Sequence, residues 1–199
     1  MFLFTSEGVF MGFFDIFRKK GIKQRKNTSK RKHTVRTSTS KTNVFSILNE
    51  IEKHKYINDV KTKELYDKAY KQISGNLIDR HFYYNSVIDY YYGLRHKDKY
   101  AIEKCIQYCK EDIEIAPKVL ELMSKDQTFM HYDEEGNLEF IPPRFPSFQR
   151  LAIIYENQEK YEEAIELCKL AIKLNLRDGT KTGFEGRIKR LERKLNTSK

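Results

Sequence analysis

Five histidines and three cysteines hold most of the chemistry that this 199-residue chain offers. His81, His96 and His131, taken with the acids Asp133 and Glu134, raise a general acid–base reading. No nucleophile elbow, no H-E-x-x-H pair and no glycine-rich phosphate loop accompanies them, so no catalytic residue is assigned. Asp133-Glu134-Glu135-Gly136-Asn137 is acidic but lacks the alternating ligands of a calcium loop, and reads as a turn. Cys105 and Cys109 stand at i, i+4, with Cys168 farther along. A structural zinc needs four ligands, only His96 and His131 are loosely available to join them, and there is no C-x-x-C. The thiols therefore read as small, buried, reduced core residues. No metal, no cofactor and no enzyme activity is expected.

The elements that must position these residues are helical. Val44, Ile47, Leu48 and Ile51 follow Asn43, a candidate N-cap, at helical spacing. A second helix is predicted over 62–74, stopped by Ser74-Gly75-Asn76, and a third over 77–95. A fourth is predicted over 98–114, with Ala101, Ile102, Cys105, Ile106, Cys109 and Ile113 on one stripe. Pro117, suited to a first helical turn, is expected to open a separate helix over 117–125. Residues 128–141 break the pattern and predict a short hairpin or ordered loop. Helices return over 146–157 and 160–174, and a basic amphipathic helix is predicted from Gly183 to Lys194.

Net charge is +10, yet it is not evenly spread. Eleven basic residues and no acid lie between Arg18 and Lys41, which leaves 27 basic against 28 acidic residues elsewhere. The folded part is thus nearly neutral, and only the tail supports an anion-binding argument. Residues 1–42 are expected to be a short apolar segment and a disordered tail, because so polar a stretch buries too little to offset its ordering entropy. Three readings of the tail stand open, with Lys19, Lys20, Arg25, Lys26, Arg31 and Lys32 as its contact candidates. It binds nucleic-acid phosphates, or holds an anionic membrane surface with Phe13, Phe14, Ile16 and Phe17 inserting, or is a solvated linker. No apolar run long enough to span a membrane occurs, and the start lacks the basic region and cleavage site of a secretory signal. Met11 is a second candidate start. With sparse, unpaired cysteines, the expected compartment is the cytoplasm, with membrane association as the lipid reading of the tail would have it.

Phe148, Leu151, Ala152 and Tyr155, then Ala164, Cys168 and Ala171, fall at the spacing of the tetratricopeptide motif, and the segment resembles that family. Cys168 replaces an aromatic, and Leu176 stands where the motif usually ends in proline. A degenerate copy lies 63 residues upstream: Ile88, Tyr92, Ala101, Cys105 and Tyr108, with Asp89 in the place of Ala152 and Asn85 in that of Phe148. The resemblance implies an all-α fold of antiparallel helical hairpins over 43–199. These would form a fragment of a right-handed solenoid with a C-terminal capping helix. Ala152 and Ala164 would let two helices approach while Tyr155 fills the seam. It also implies a groove for another protein or peptide, lined by Gln149, Ile153, Glu156 and Asn157 on one helix and, on another, by Tyr83 and Tyr90 unless neighbouring helices bury both faces of that helix. The lysine and asparagine with which some members clamp a peptide's terminal carboxylate are replaced by Gln149 and Ile153. The chain also resembles uncharacterised repeat proteins of Gram-positive bacteria and their phages that begin with an MGFFDIF-like segment, which implies no established activity. Oligomeric state is left open.

Overall fold

The computed structural model describes residues 44–73 and 75–197. The tail candidates and the apolar start lie outside them. Helix accounts for 71 % of the described residues, and the only strands among them are two of three residues each, so the class is helical.

Helix α1 (Val44–His54) buries Val44, Ile47, Leu48 and Ile51, one stripe of the 3.6-residue period. Helix α2 (Asp59–Gln72) starts at Asn58, whose side chain accepts from the Lys61 amide at 3.0 Å. Helix α3 (Leu77–Leu94) starts the same way at Asn76, which accepts from the Ile78 amide at 3.0 Å. Its buried residues run around the whole cylinder: His81, Tyr83, Tyr84, Val87, Ile88, Tyr90 and Leu94. A helix apolar on every side is a central one.

Helix α4 (Ala101–Met123) is continuous, so the expected break at Pro117 is not there. An interior proline forfeits the hydrogen bond to Ile113 and costs about 3 kcal/mol. Ala116, Val119, Leu120 and Met123 extend the buried stripe of Cys105, Cys109 and Ile113, and each fully buried large side chain contributes about 1.5–3 kcal/mol. Packing outweighs the local penalty. A short antiparallel hairpin follows, β1 (Met130–Tyr132) against β2 (Leu138–Phe140), with Met130 opposite Phe140 and Tyr132 opposite Leu138. Asp133 accepts from the Glu135 and Asn137 amides and closes the turn.

Helix α5 (Pro146–Asn157) takes its proline in the first turn. Glu159, with φ 61°, ends it, and helix α6 (Tyr161–Lys173) begins two residues later. The end of α6 explains why Leu176 can replace the motif's proline. Asn175 turns left-handed at φ 56°, and the Leu176 amide reaches back to the Ala171 carbonyl at 3.0 Å. This Schellman stop needs no proline, and Leu176 is buried as its apolar contact. Helix α7 (Gly183–Thr197) buries Phe184, Arg187 and Leu191 on α6.

Consecutive helices pack on one another: α1 on α2, both on α3, α4 along α3, α5 against both α3 and α4, α6 on α5 and α7 on α6. Ala152 and Ala164 are fully buried and Tyr155 packs half-buried against the core. Among the described residues no helix is long and apolar enough to cross a membrane.

Candidate functional site

The groove candidates divide into three fates. Tyr83 and Tyr90 are core residues, 3 % and 0 % exposed, and the expectation that they line an open groove is overturned. Helices α1 and α2 fold back over the face of α3 on which they stand. The Tyr66 ring lies 6.0 Å from that of Tyr83 and 5.4 Å from that of Tyr90, and the Tyr90 hydroxyl donates to Asp59 at 3.2 Å. Burial pushes both hydroxyls well above the usual tyrosine range. Gln149 and Glu156 are engaged by the chain's own C-terminal segment. The Gln149 amide donates to the Asp178 carbonyl at 2.8 Å. The Glu156 carboxylate accepts from Arg190 at 2.8 Å and from Lys194 at 2.8 Å, with Arg187 at 3.7 Å. The Arg190 and Lys194 bonds hold its pKa down to about 2. Ile153 is half-buried, and only Asn157 stands exposed.

The histidines do not assemble with Asp133 and Glu134. His131 pairs with Glu139 across the β-hairpin and is exposed, as is His96, while His81 lies in the core. There a polar cluster that the sequence did not signal joins three helices. Asp112 on α4 accepts from His81 Nδ1 on α3 at 2.8 Å and from Ser147 Oγ on α5 at 2.5 Å. All three residues are fully buried, and the Phe145 ring lies tilted against the imidazole with centroids 3.9 Å apart. The carboxylate only accepts, so Nδ1 carries a proton, and Nε2 takes the Asn85 amide at 3.1 Å. These are the side-chain types of a hydrolytic triad in the wrong order: the serine hydroxyl donates to the carboxylate, and no hydrogen bond joins it to the imidazole. The cluster ties helices together. The three cysteines are free and buried, and burial raises the Cys168 thiol to about 12 and the Cys109 thiol well up, so these two stay protonated near neutral pH. Among the described residues no group of three side chains is placed to hold a metal.

A second assembly reaches solvent. It is built on Tyr92 and Asp89 of α3, Arg95 at its C-cap, Arg150 of α5, Arg144 of the preceding linker, and the corner between α1 and α2. The guanidinium of Arg95 lies 4.3 Å from the Tyr92 ring centroid and that of Arg150 4.4 Å from it. Asp89 accepts from Arg150 at 3.3 Å and from Arg144 at 3.4 Å. The Tyr56 hydroxyl donates to the Asp89 carbonyl at 2.8 Å, and its ring stacks on Tyr90 at 5.8 Å. Two backbone features seat that ring. Tyr56 has φ 67°, a left-handed conformation that a tyrosine adopts at a cost. Gly93 leaves the space, since a Cβ there would come 2.1 Å from the Tyr56 hydroxyl. Beside Tyr56, Ile57 and Val60 are 82 % and 71 % exposed. One signal of this surface was legible: Asp89 stands where the motif wants a small residue, which is explained by the two arginines it receives. Those arginines lie 55 and 61 residues away, and no local pattern points to them.

No family model, no curated protein and no solved structure matches the chain.

Proposed function

We propose that this chain is a tetratricopeptide-like helical scaffold in the cytoplasm that works by binding a segment of another protein, not by catalysis. Support for the repeat reading comes from Ala101 and Ala164, and from Cys105 and Cys168, which fill equivalent buried positions of two hairpins. It comes also from α5, which packs on both helices of the preceding pair as the next unit of a stack does. Support for binding rests above all on one observation. Arg95, Arg144 and Arg150 are gathered with Tyr56 and Tyr92 from three parts of the chain at the surface, and the strongly exposed Ile57 follows Tyr56 in the chain. Arginine and tyrosine carry binding energy well because their planar groups lose little freedom on contact. A groove in the sense of the repeat family is narrowed at both ends by α1–α2 and by α7, so contact falls to the Tyr56–Arg150 surface.

Cross-linking of the full chain to its bound partners in the cell tests this. Cross-links should gather on Lys55 and Lys97, which flank the surface in sequence, and should fall when Ile57→Asp is introduced. Cross-links that gather instead on Lys169 and Lys189, and persist in Ile57→Asp, would place partner binding elsewhere and reject this surface.

A further inference from the structure

We propose that the arginine cluster of this surface takes an acidic peptide segment, its carboxylates entering the guanidinium forks while a flanking apolar side chain rests on Ile57. This specifies the partner of the binding reading above and rests on it. Two guanidiniums, Arg144 and Arg150, share the single carboxylate of Asp89, and a third, Arg95, lies over the Tyr92 ring with Arg150. Asp89 takes one nitrogen of Arg144, Nη1, and two of Arg150, Nε and Nη2, which leaves each guanidinium further N–H donors of its five. Arg95 pairs with no carboxylate among the described residues; its Nη1 donates to the Tyr92 carbonyl at 2.8 Å. A guanidinium lying over a ring keeps in-plane donors for a second partner, and the fork matches a carboxylate in two-point geometry. Arg150 is only 24 % exposed, so a carboxylate meeting it is less screened than at an open surface. Single-stranded nucleic acid fits less well, because a base needs a free ring face. The Tyr92 ring carries two guanidiniums and the Tyr56 ring is stacked on Tyr90. Ile57, next in the chain to Tyr56, and Val60 are exposed apolar side chains, which a peptide of mixed acidic and apolar residues uses.

The test uses the full chain and fluorescence anisotropy with three probes: a short labelled peptide alternating Glu and Leu, the same peptide with Lys for Glu, and a short oligo(dT). The variant Arg95→Gln with Arg150→Gln leaves the basic tail untouched, so any loss reports on the cluster and not on the tail. The Glu–Leu peptide should bind the wild type and weaken by roughly tenfold in the double variant, and Arg95→Lys with Arg150→Lys should restore part of the loss. The Lys–Leu peptide should bind more weakly than the Glu–Leu peptide to the wild type. An unchanged melting temperature confirms that the variants fold, and a double variant that melts early is replaced by Arg144→Gln with Arg95→Gln. Equal binding of the Glu–Leu peptide to wild type and variant overturns the proposal, as does oligo(dT) displacing it through the same arginines. Neither result touches the binding reading, which stands or falls on the Ile57→Asp cross-linking above.

Discussion

The hairpin α3–α4 and the hairpin α5–α6 carry the same frame and complete it differently. Ile88 and Leu151, Ala101 and Ala164, Cys105 and Cys168 are all buried at the same 63-residue offset. At the same offset Tyr90 matches Ile153, Gly93 matches Glu156 and Asp112 matches Asn175. Each hairpin offers that first-helix face to its flanking segment. In one, Gly93 makes room for the Tyr56 ring and Tyr90 is sealed under α2; in the other, Glu156 gathers Arg190 and Lys194 from α7. Where Asn175 turns left-handed and stops α6, Asp112 stays helical, and α4 continues to Met123. A repeat frame thus dictates how two helices meet and leaves open what covers them.

The comparison is most sharply broken at the matched pair Tyr90 and Ile153. Tyr90→Ala should lower stability by about 3–5 kcal/mol in a urea titration, and Ile153→Ala by about 1–2 kcal/mol, since its site is half-exposed. Similar losses would mean that α1–α2 does not cover α3. Asp112→Ala strips two buried donors of their acceptor and should cost about 3 kcal/mol, or about 6–12 °C in melting temperature. Pro117→Ala should stabilise by about 1–3 kcal/mol by restoring a helical hydrogen bond to Ile113; a loss would show that the ring packs rather than strains. Glu156, depressed to about 2 when folded, favours the folded state fully above its ordinary carboxylate pKa. That contribution fades as pH falls from about 4.5 towards about 2, and Glu156→Gln should flatten this stretch of the stability–pH curve. Asp89→Ala, which copies the second hairpin's residue into the first, should change stability by no more than about 1 kcal/mol, because the ion pairs it removes are partly exposed.

The second hairpin was the more legible of the two. The spacing of Phe148, Ala152, Tyr155 and Ala164 predicts 146–157 and 160–174, and the helices run Pro146–Asn157 and Tyr161–Lys173. Small residues at a helix crossing leave a local mark that a sequence retains. Tyr83 and Tyr90 were misplaced because a helix apolar all round does not say which neighbour covers which face, and α2 reaches them with the long side chains of Tyr66 and Tyr70. Pro117 was misread because its penalty is local and the stripe that outweighs it is not. The Tyr92–Arg150 stack and the Asp112 cluster join residues far apart in the chain, and periodicity carries no information about such pairs.

The two partners of the Asp112 carboxylate stand 31 and 35 residues away, on α3 and on α5. Neither hairpin alone can supply both. A stack of independent repeats frays from its ends, unit by unit. Here a charge stranded in the interior would penalise every half-assembled form, so α3, α4 and α5 should melt together in a single transition rather than in sequence.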